Sequence, residues 1–538
     1  MSEIVALLEL DAYHRASGHI HRFFLSTPPG FISRRTDARP DIGYAPLVEQ
    51  AADIALTISS YGEMAGQSRV EVGVAQLANR ANWHGYQVPI RGLNLNNGQW
   101  VTLPATARPL NPLITDYVLG GQRIAILIGP RDGRRDVDFI PVLTARQEMP
   151  DFERGRINLH PRDGALDFDT PLLTETYGGT GGLDGPPDFK GRTKERCWGE
   201  ETAFEPTYLG TVNGLHTWSV NGGRPIEGVV KFRDGWVDIP ETTGTPSATA
   251  GDWRQDRATG IIQRATGAQY RVSVHVKGDK SGGVYRSRGA DLIRHWAGAH
   301  SGILSAAGLD AAAFTHMAAA APYNLGFWMP AGDTRTHRDM YDAAVRCFRG
   351  FWAVDPLGLL TIGQVLPPSG PPKAVLRRGI DHLGLIPQAP ATGRNVPARA
   401  ALIRFARNHV PAGEMDMQRN LTAEARSMAK AEWREARTPD DPAVVAAYGA
   451  NIARLIERDT AIVGRADAEA EGLSLRDDAK ISRGVFQMQC TRLLAGINRL
   501  DVVQVQDDLP GFEAGRLVRV IGVRTNYRAN LTLLTVRE

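Results

Sequence analysis

A mainly β, multidomain fold with α+β insertions is what this sequence predicts, on three observations. Short apolar or alternating runs recur along the chain, bounded by Gly, Pro or Asn-Gly, as strands joined by turns are. The 57 glycines and 33 prolines are spread over the whole length, where a disordered chain would gather them in tracts. The 538 residues exceed one compact core and suit several domains of about 100–200 residues each. With 42% apolar and 22% charged residues, the chain has the composition of a globular protein that can bury such cores.

Residues 1–180 read as a first β domain. Ile4–Leu8 and Ile20–Leu25 are two strands around the turn Ala16-Ser17-Gly18. Ile54–Ile58, Val70–Val74, Ile124–Ile128 and Val137–Val142 follow, with Asn96-Asn97-Gly98 among the turns. This spacing fits a barrel or sandwich. Residues 181–286 continue as β with more loop. Val229–Phe232 and Tyr270–Val276 alternate as half-buried strands do, and Pro240–Gly251 is a Thr/Ser/Pro/Gly-rich loop.

The pattern changes at 287–372, an α+β segment. Ser287 is placed to cap a short helix through Gly298, with Leu292, Ile293 and Trp296 on one face. Thr336 and Asp339 form a capping-box start for a second helix. On it Tyr341, Val345, Phe348 and Trp352 recur at helical spacing. It ends before the turn Asp355–Gly358 and a strand Leu359–Ile362, and the linker Pro367–Pro372 marks a boundary. Residues 373–538 read as a second β domain with a helical insertion at about 421–460. Ala401–Phe405 is a strand, Thr422–Ala436 and Pro442–Asp459 are polar helices, and Arg483–Gln489 fits strand or helix. Val502–Val505 is a further strand, and Leu517–Val523 and Leu531–Val536 form a terminal hairpin. No repeat of 20–50 residues is visible, which argues against a solenoid or propeller.

Composition narrows function. The 62 basic and 59 acidic residues leave a formal charge of +3, without the clustered Lys/Arg of a nucleic-acid binder. Arg34-Arg35 and Arg134-Arg135 read as solvated loop residues. Cys197, Cys347 and Cys490 are far apart, with no CxxC, and read as buried free thiols in a reducing cytoplasm. The opening MSEIVALLELD is too short and too acidic for a signal peptide, and no apolar run reaches the ~18 residues of a membrane span.

No HExxH, GxSxG or GxxxxGK[ST] is present, so the local signatures of a zinc helix, nucleophile elbow and phosphate loop are missing. Gly178–Gly182 is glycine-dense without GxGxxG spacing and reads as a tight connection. Gly278–Gly283 holds phosphate-loop residue types in the wrong order and reads as a hairpin loop. Asp163, Asp167 and Asp169 could hold calcium or act as a carboxylate pair, but they lack EF-hand spacing and read as turn carboxylates. His19 and His21 would share one face of a strand, two ligands without an evident third. His295 and His300 are five apart, out of helical alignment. Trp296 and Trp352 read as core. The expectation is therefore a non-enzyme, with no catalytic, cofactor-binding or metal residues.

Two stretches are similar to tail-tip and baseplate hub proteins of long-tailed phages. One runs from Ile157-Asn158-Leu159 through Pro171-Leu172-Leu173, Tyr177-Gly178-Gly179 and Gly185 to Phe189–Lys194 and Cys197-Trp198-Gly199. The other comprises Asp501-Val502-Val503, Gly515–Val523 and Leu531–Leu534, where Leu500 stands in place of the family's usual glycine. Tyr341–Ile362 resembles a helix-turn-strand module of the same hubs. The resemblance implies a homotrimer in which each protomer carries two tail-tube-like β-barrels, matching a hexameric tail tube to a threefold tip. It also implies partners: further copies of the chain, distal tail or tail tube proteins, a tape measure protein, and tip or receptor-binding proteins. The location implied is the virion tail tip, reached after assembly in the host cytoplasm. A tail-associated cell-wall or polysaccharide hydrolase and a carbohydrate-binding adhesin are the alternatives.

Overall fold

The structure, a computed structural model, describes residues 4–28, 30–58, 66–79, 91–95, 99–102, 110–162, 168–300, 308–388, 396–494, 496–527 and 529–538. Strands take 41% of the residues and helices 18%, so the mainly β expectation holds. The turn expected at Asn96-Asn97-Gly98 lies outside the described residues.

The strand Ile4–His14 organises the N-terminal region. It pairs with Ile20–Ser26 on one side and Arg123–Pro130 on the other, both antiparallel. Its side chains divide with the period of two that a strand imposes. Ala6, Leu8, Leu10 and Ala12 enter one core, while Val5 and Leu7 enter a second with Phe24, Phe31 and Phe139. Both faces are covered, which is why Ile4–Leu8 is apolar without a break. Arg123–Pro130 continues the sheet to Ile140–Gln147 and then Pro161–Arg162. A four-stranded sheet, ordered Asp151–Glu153, Arg156–Leu159, Ala75–Ala78, Val48–Gln50, shares the first core through Val48, Leu77, Ile157 and Leu159. The expected strand at Val137–Val142 begins later, because Arg135–Asp138 forms a helical turn first.

In the middle region a five-stranded sheet is ordered Val237–Ile239, Ile226–Asp234, Val272–Asp279, Arg196–Phe204, Gly326–Met329. A four-stranded sheet of Thr207–Val212, Leu215–Ser219, Ile261–Arg264 and Trp253–Asp256 lies beside it. Phe204, Trp218, Phe232 and Trp253 fill the space between them.

A ten-stranded sheet then joins residues from both ends of the chain. The terminal hairpin Arg516–Asn526 with Leu531–Arg537 forms as expected, and Arg516–Asn526 also pairs antiparallel with Ile54–Ile58 (Thr525 opposite Ile54, Val523 opposite Leu56). The undecided segment is the strand Val485–Cys490.

Among the described residues no sheet closes on itself, which corrects the expectation of two β-barrels. In the N-terminal region the described strands divide among several sheets. Two of these, Ile4–His14 with its neighbours and the four-stranded sheet, cover the first core, while Ile54–Ile58 and Gly66–Val72 join the ten-stranded sheet. Leu25 and Ala45 form only a single bridge. In the C-terminal region the end strands Val375–Arg377 and His382–Pro387 meet only at a bridge between Arg378 and His382.

Several helices depart from the sequence pattern. The Thr336–Asp339 capping box is present, on a helix His337–Arg346. That helix stops short of Trp352, which reaches the same core from the strand Gly350–Val354. Ser287 is not a cap: Arg288 takes that position on the helix Gly289–His295, and the Ser287 hydroxyl bonds Asn324. The two polar helices are both much shorter than expected. Ala423–Lys430 and Pro442–Tyr448 are helical, but Arg434–Arg437 and Arg454–Asp459 are strands flanking Ala398–Phe405.

Leu500, where the resemblance expects glycine, has φ +70°. An L-residue in this left-handed region costs about 1–2 kcal/mol. Its side chain packs against Phe351 and Ile521, which offsets the strain. Leu500→Gly relieves the backbone and loses the packing, whereas Leu500→Ala loses the packing and keeps the strain. Chemical denaturation is therefore expected to rank L500G above L500A, the reverse of the order at an ordinary buried leucine.

Candidate functional site

Of the acidic cluster, Asp163 and Asp167 lie outside the described residues. The Asp169 carboxylate is held by the Arg338 guanidinium. In the glycine-dense turn, Gly179, Gly181, Gly182 and Gly185 all have positive φ. The Asp184 carboxylate accepts from the Gly178 N–H (3.0 Å) and the Thr180 hydroxyl (2.8 Å). The place a phosphate would occupy in a glycine loop is thus filled by the protein's own anion. In the second glycine-rich segment Lys280 pairs with Glu227 at 2.8 Å, and Asp279 is buried, accepting from Asn221 and Ser281.

His19 is exposed, while His21 stacks on His14 and its Nδ1 lies 3.0 Å from the Tyr117 hydroxyl. Burial and the neighbouring His14 and His19 push the His21 pKa down. His295 faces Asp279 at 3.6 Å. Among the described residues no group of three or more His, Cys, Asp or Glu side chains is placed to hold a metal ion. All three cysteines are buried and free, and burial pushes the thiols of Cys347 and Cys490 up to about 12. Trp296 and Trp352 are core residues, as expected.

The Arg pairs are not simply solvated. Arg135 reaches the buried Glu9, which also accepts from the Tyr44 hydroxyl at 3.0 Å. Arg134 bonds the Thr36 carbonyl, and Arg34 bonds that of Asp132. The two loops are fastened to each other through these side chains.

Two clefts stand out. One, of about 440 Å³, is walled mostly by apolar residues from three regions, among them Leu56, Ile128, Phe351, Leu494 and Val523. The other, of about 430 Å³, is polar and lies where Arg196–Phe204 meets the 406–409 and 459–463 segments. Its carboxylates already have partners. Glu200 accepts from His275 at 2.8 Å, Glu201 faces His409 at 3.3 Å, Glu432 pairs with Arg407 at 2.9 Å and Asp459 with Arg404 at 3.0 Å. The His275 hydrogen bond holds the Glu200 pKa below the ordinary carboxylate range. These pairs tie the segments around the cleft to one another. The sequence reading missed this cluster, whose one visible signal is the adjacent Glu200-Glu201 on an alternating strand.

His337 is a buried titratable group in the main core, 2% exposed beside Tyr341 and Phe168. Desolvation lowers its pKa from 6.5 to about 4. The unfolded chain therefore takes up a proton at a pH where the folded chain does not, so stability falls as pH drops from about 6.5 towards 4. Relative to His337→Gln, the wild type is expected to lose about 3 kcal/mol between pH 7 and pH 4. Urea titrations at the two pH values measure this difference.

No family model and no curated protein matches the chain. Among the solved structures similar to it are tail and virion proteins. The tail protein from Neisseria meningitidis MC58 is 9% identical, with 99% of this chain and 96% of that chain covered and a TM-score of 0.38. The 43 kDa tail protein of prophage MuSo2 from Shewanella oneidensis is 11% identical, over 100% and 96% of the two chains, at a TM-score of 0.35. A chain of the virion of a native gene transfer agent particle is 14% identical, over 70% and 92%, at 0.40.

Proposed function

We propose that this chain is a structural hub of a phage tail tip, a homotrimer linking a hexameric tail tube to a threefold tip. The supporting observation is the antiparallel pairing of Ile54–Ile58 with Arg516–Asn526. It fixes the first and last β regions next to each other in one protomer. Three copies would then present six β regions in a ring, a way to join sixfold and threefold symmetry. Closed barrels are not required for this, because open sheets with unpaired edges join laterally by edge contact. The sequence resemblance from Ile157 to Gly199 and from Asp501 to Leu534 supports the same reading.

In this reading residues 1–180 and 373–538 are the ring-forming domains, and 181–286 and 287–372 the domains between them. The partners are further copies of the chain, distal tail or tail tube proteins, the tape measure protein, and tip or receptor-binding proteins. The protein acts in the virion and not as an enzyme. Light scattering of the full chain is expected to give the mass of three protomers, with rings in particle images. A monomer at every concentration overturns the proposal.

A further inference from the structure

Two strand edges on this chain are complementary to each other and are not paired with each other among the described residues. Asp151–Glu153 ends its sheet, paired among the described residues only with Arg156–Leu159, and all three of its residues are exposed. Val375–Arg377 is likewise paired, among the described residues, only with Val502–Gln506. A terminal strand is a template for a further strand.

Both edges carry more apolar surface than water favours. Met149 is 73% and Phe152 45% exposed at the first; Ile380 is 67%, Leu383 60% and Ile386 60% exposed beside the second. Such clusters mark contact surfaces. Their charges are opposite. Glu148, Asp151 and Glu153 are exposed on the first, beside two bases, Arg154 and Arg156, of which Arg156 is paired with Glu49 at 2.8 Å. Lys373, Arg377 and Arg378 are exposed on the second, whose acid Asp381 is buried and held by Arg492 at 2.9 Å. Lys373 and Arg378 pair with Asp501 and Asp508, and Asp151 with His160. Arg377 makes no ion pair among the described residues.

We infer that the Asp151–Glu153 edge of one copy seats against the Val375–Ile386 segment of the next copy, forming the lateral contact of the ring. This rests on the trimeric reading above. Two different, mutually complementary patches on one chain give a heterologous contact, which closes into a ring when the rotation permits and runs on as a filament when it does not. Each protomer then uses its N-terminal region to grip its neighbour's C-terminal region.

The test is charge exchange in the full chain, read by light scattering over a range of concentrations. Asp151→Arg with Glu153→Arg, or Arg377→Glu alone, is expected to weaken association about tenfold or more. Combining all three is expected to return it to within about threefold of wild type. Melting curves establish that each variant is folded, as exposed positions allow. A trimer indifferent to these changes overturns the inference and leaves the hub reading standing. Wild-type protein that never associates overturns the hub reading, and this contact with it.

Discussion

Glu471→Ala is expected to destabilise the fold by about 3–5 kcal/mol, the range for removing one partner of a buried ion pair. Glu471 is fully buried on the helix Arg465–Ala479. One carboxylate oxygen accepts from Arg349 Nε at 3.0 Å and faces Arg458 at 3.6 Å. The other accepts from the Tyr323 hydroxyl at 3.3 Å. Four segments thus meet at one side chain: the helix, the strand Arg454–Asp459, and the residues leading into Gly350–Val354 and Gly326–Met329. Alanine leaves two guanidiniums, 10% and 8% exposed, without their counter-ion. Arg349 keeps its bonds to Ser474 but not the compensating charge. Glu471→Gln retains hydrogen bonding and is expected to fall between alanine and wild type. Denaturant titration of the three proteins measures the order, and an alanine variant within 1 kcal/mol of wild type would rule out this role for the carboxylate.

The same helix shows where sequence reading fails. Its buried positions are Ala468, Glu471, Gly472, Leu475, Asp478 and Ala479, which keep helical spacing. Only one of them is a large apolar residue, so no hydrophobic stripe is visible. Small residues let the helix approach Ile403 and Thr438, and the acids are neutralised largely by arginines remote in sequence, Arg349, Arg458 and Arg537, with the nearby Arg483 joining them at Asp478. A one-dimensional pattern cannot supply those partners. By contrast, Ile4–His14, Arg516–Asn526 and the Thr336 capping box were legible because their signals are local: an unbroken apolar run at Ile4–Leu8, a turn, and a hydroxyl three residues before a carboxylate. Arg434–Arg437 and Arg454–Asp459 misled for the opposite reason. Both are charged and helix-compatible, and become strands only because Ala398–Phe405 offers backbone partners on both sides, a tertiary effect that overrides propensity. The candidate site was the least legible part. Glu200, Glu201, His275, His409, Arg407 and Glu432 come from three distant stretches, and chain spacing carries no information about their convergence.

Gly199→Ala is expected to cost about 3 kcal/mol or more, combining left-handed strain with a backbone clash. Gly199 closes the Cys197-Trp198-Gly199 motif and has φ +67°. It stands opposite Gly326 in the pairing of Arg196–Phe204 with Gly326–Met329. A Cβ there would fall inside the carbonyl of Leu325, and one at Gly326 would meet the carbonyl of Glu200. Gly278, on the far side of the same strand, is equally close to the Cys197 carbonyl. Three backbones therefore crowd together at one point in the sheet, and glycine is what lets them pair. This also accounts for the glycine at position 278 without any phosphate ligand. Gly182→Ala separates strain from crowding: its φ is +60° but nothing lies within 4 Å of the new methyl, so its cost should be only about 1 kcal/mol. Gly326→Ala tests crowding from the partner strand. In thermal melts the expected order of stability is wild type, then G182A, with G199A and G326A well below. If G199A melts with G182A, the crowding is relieved by a backbone shift, and the packing role assigned to this glycine is wrong.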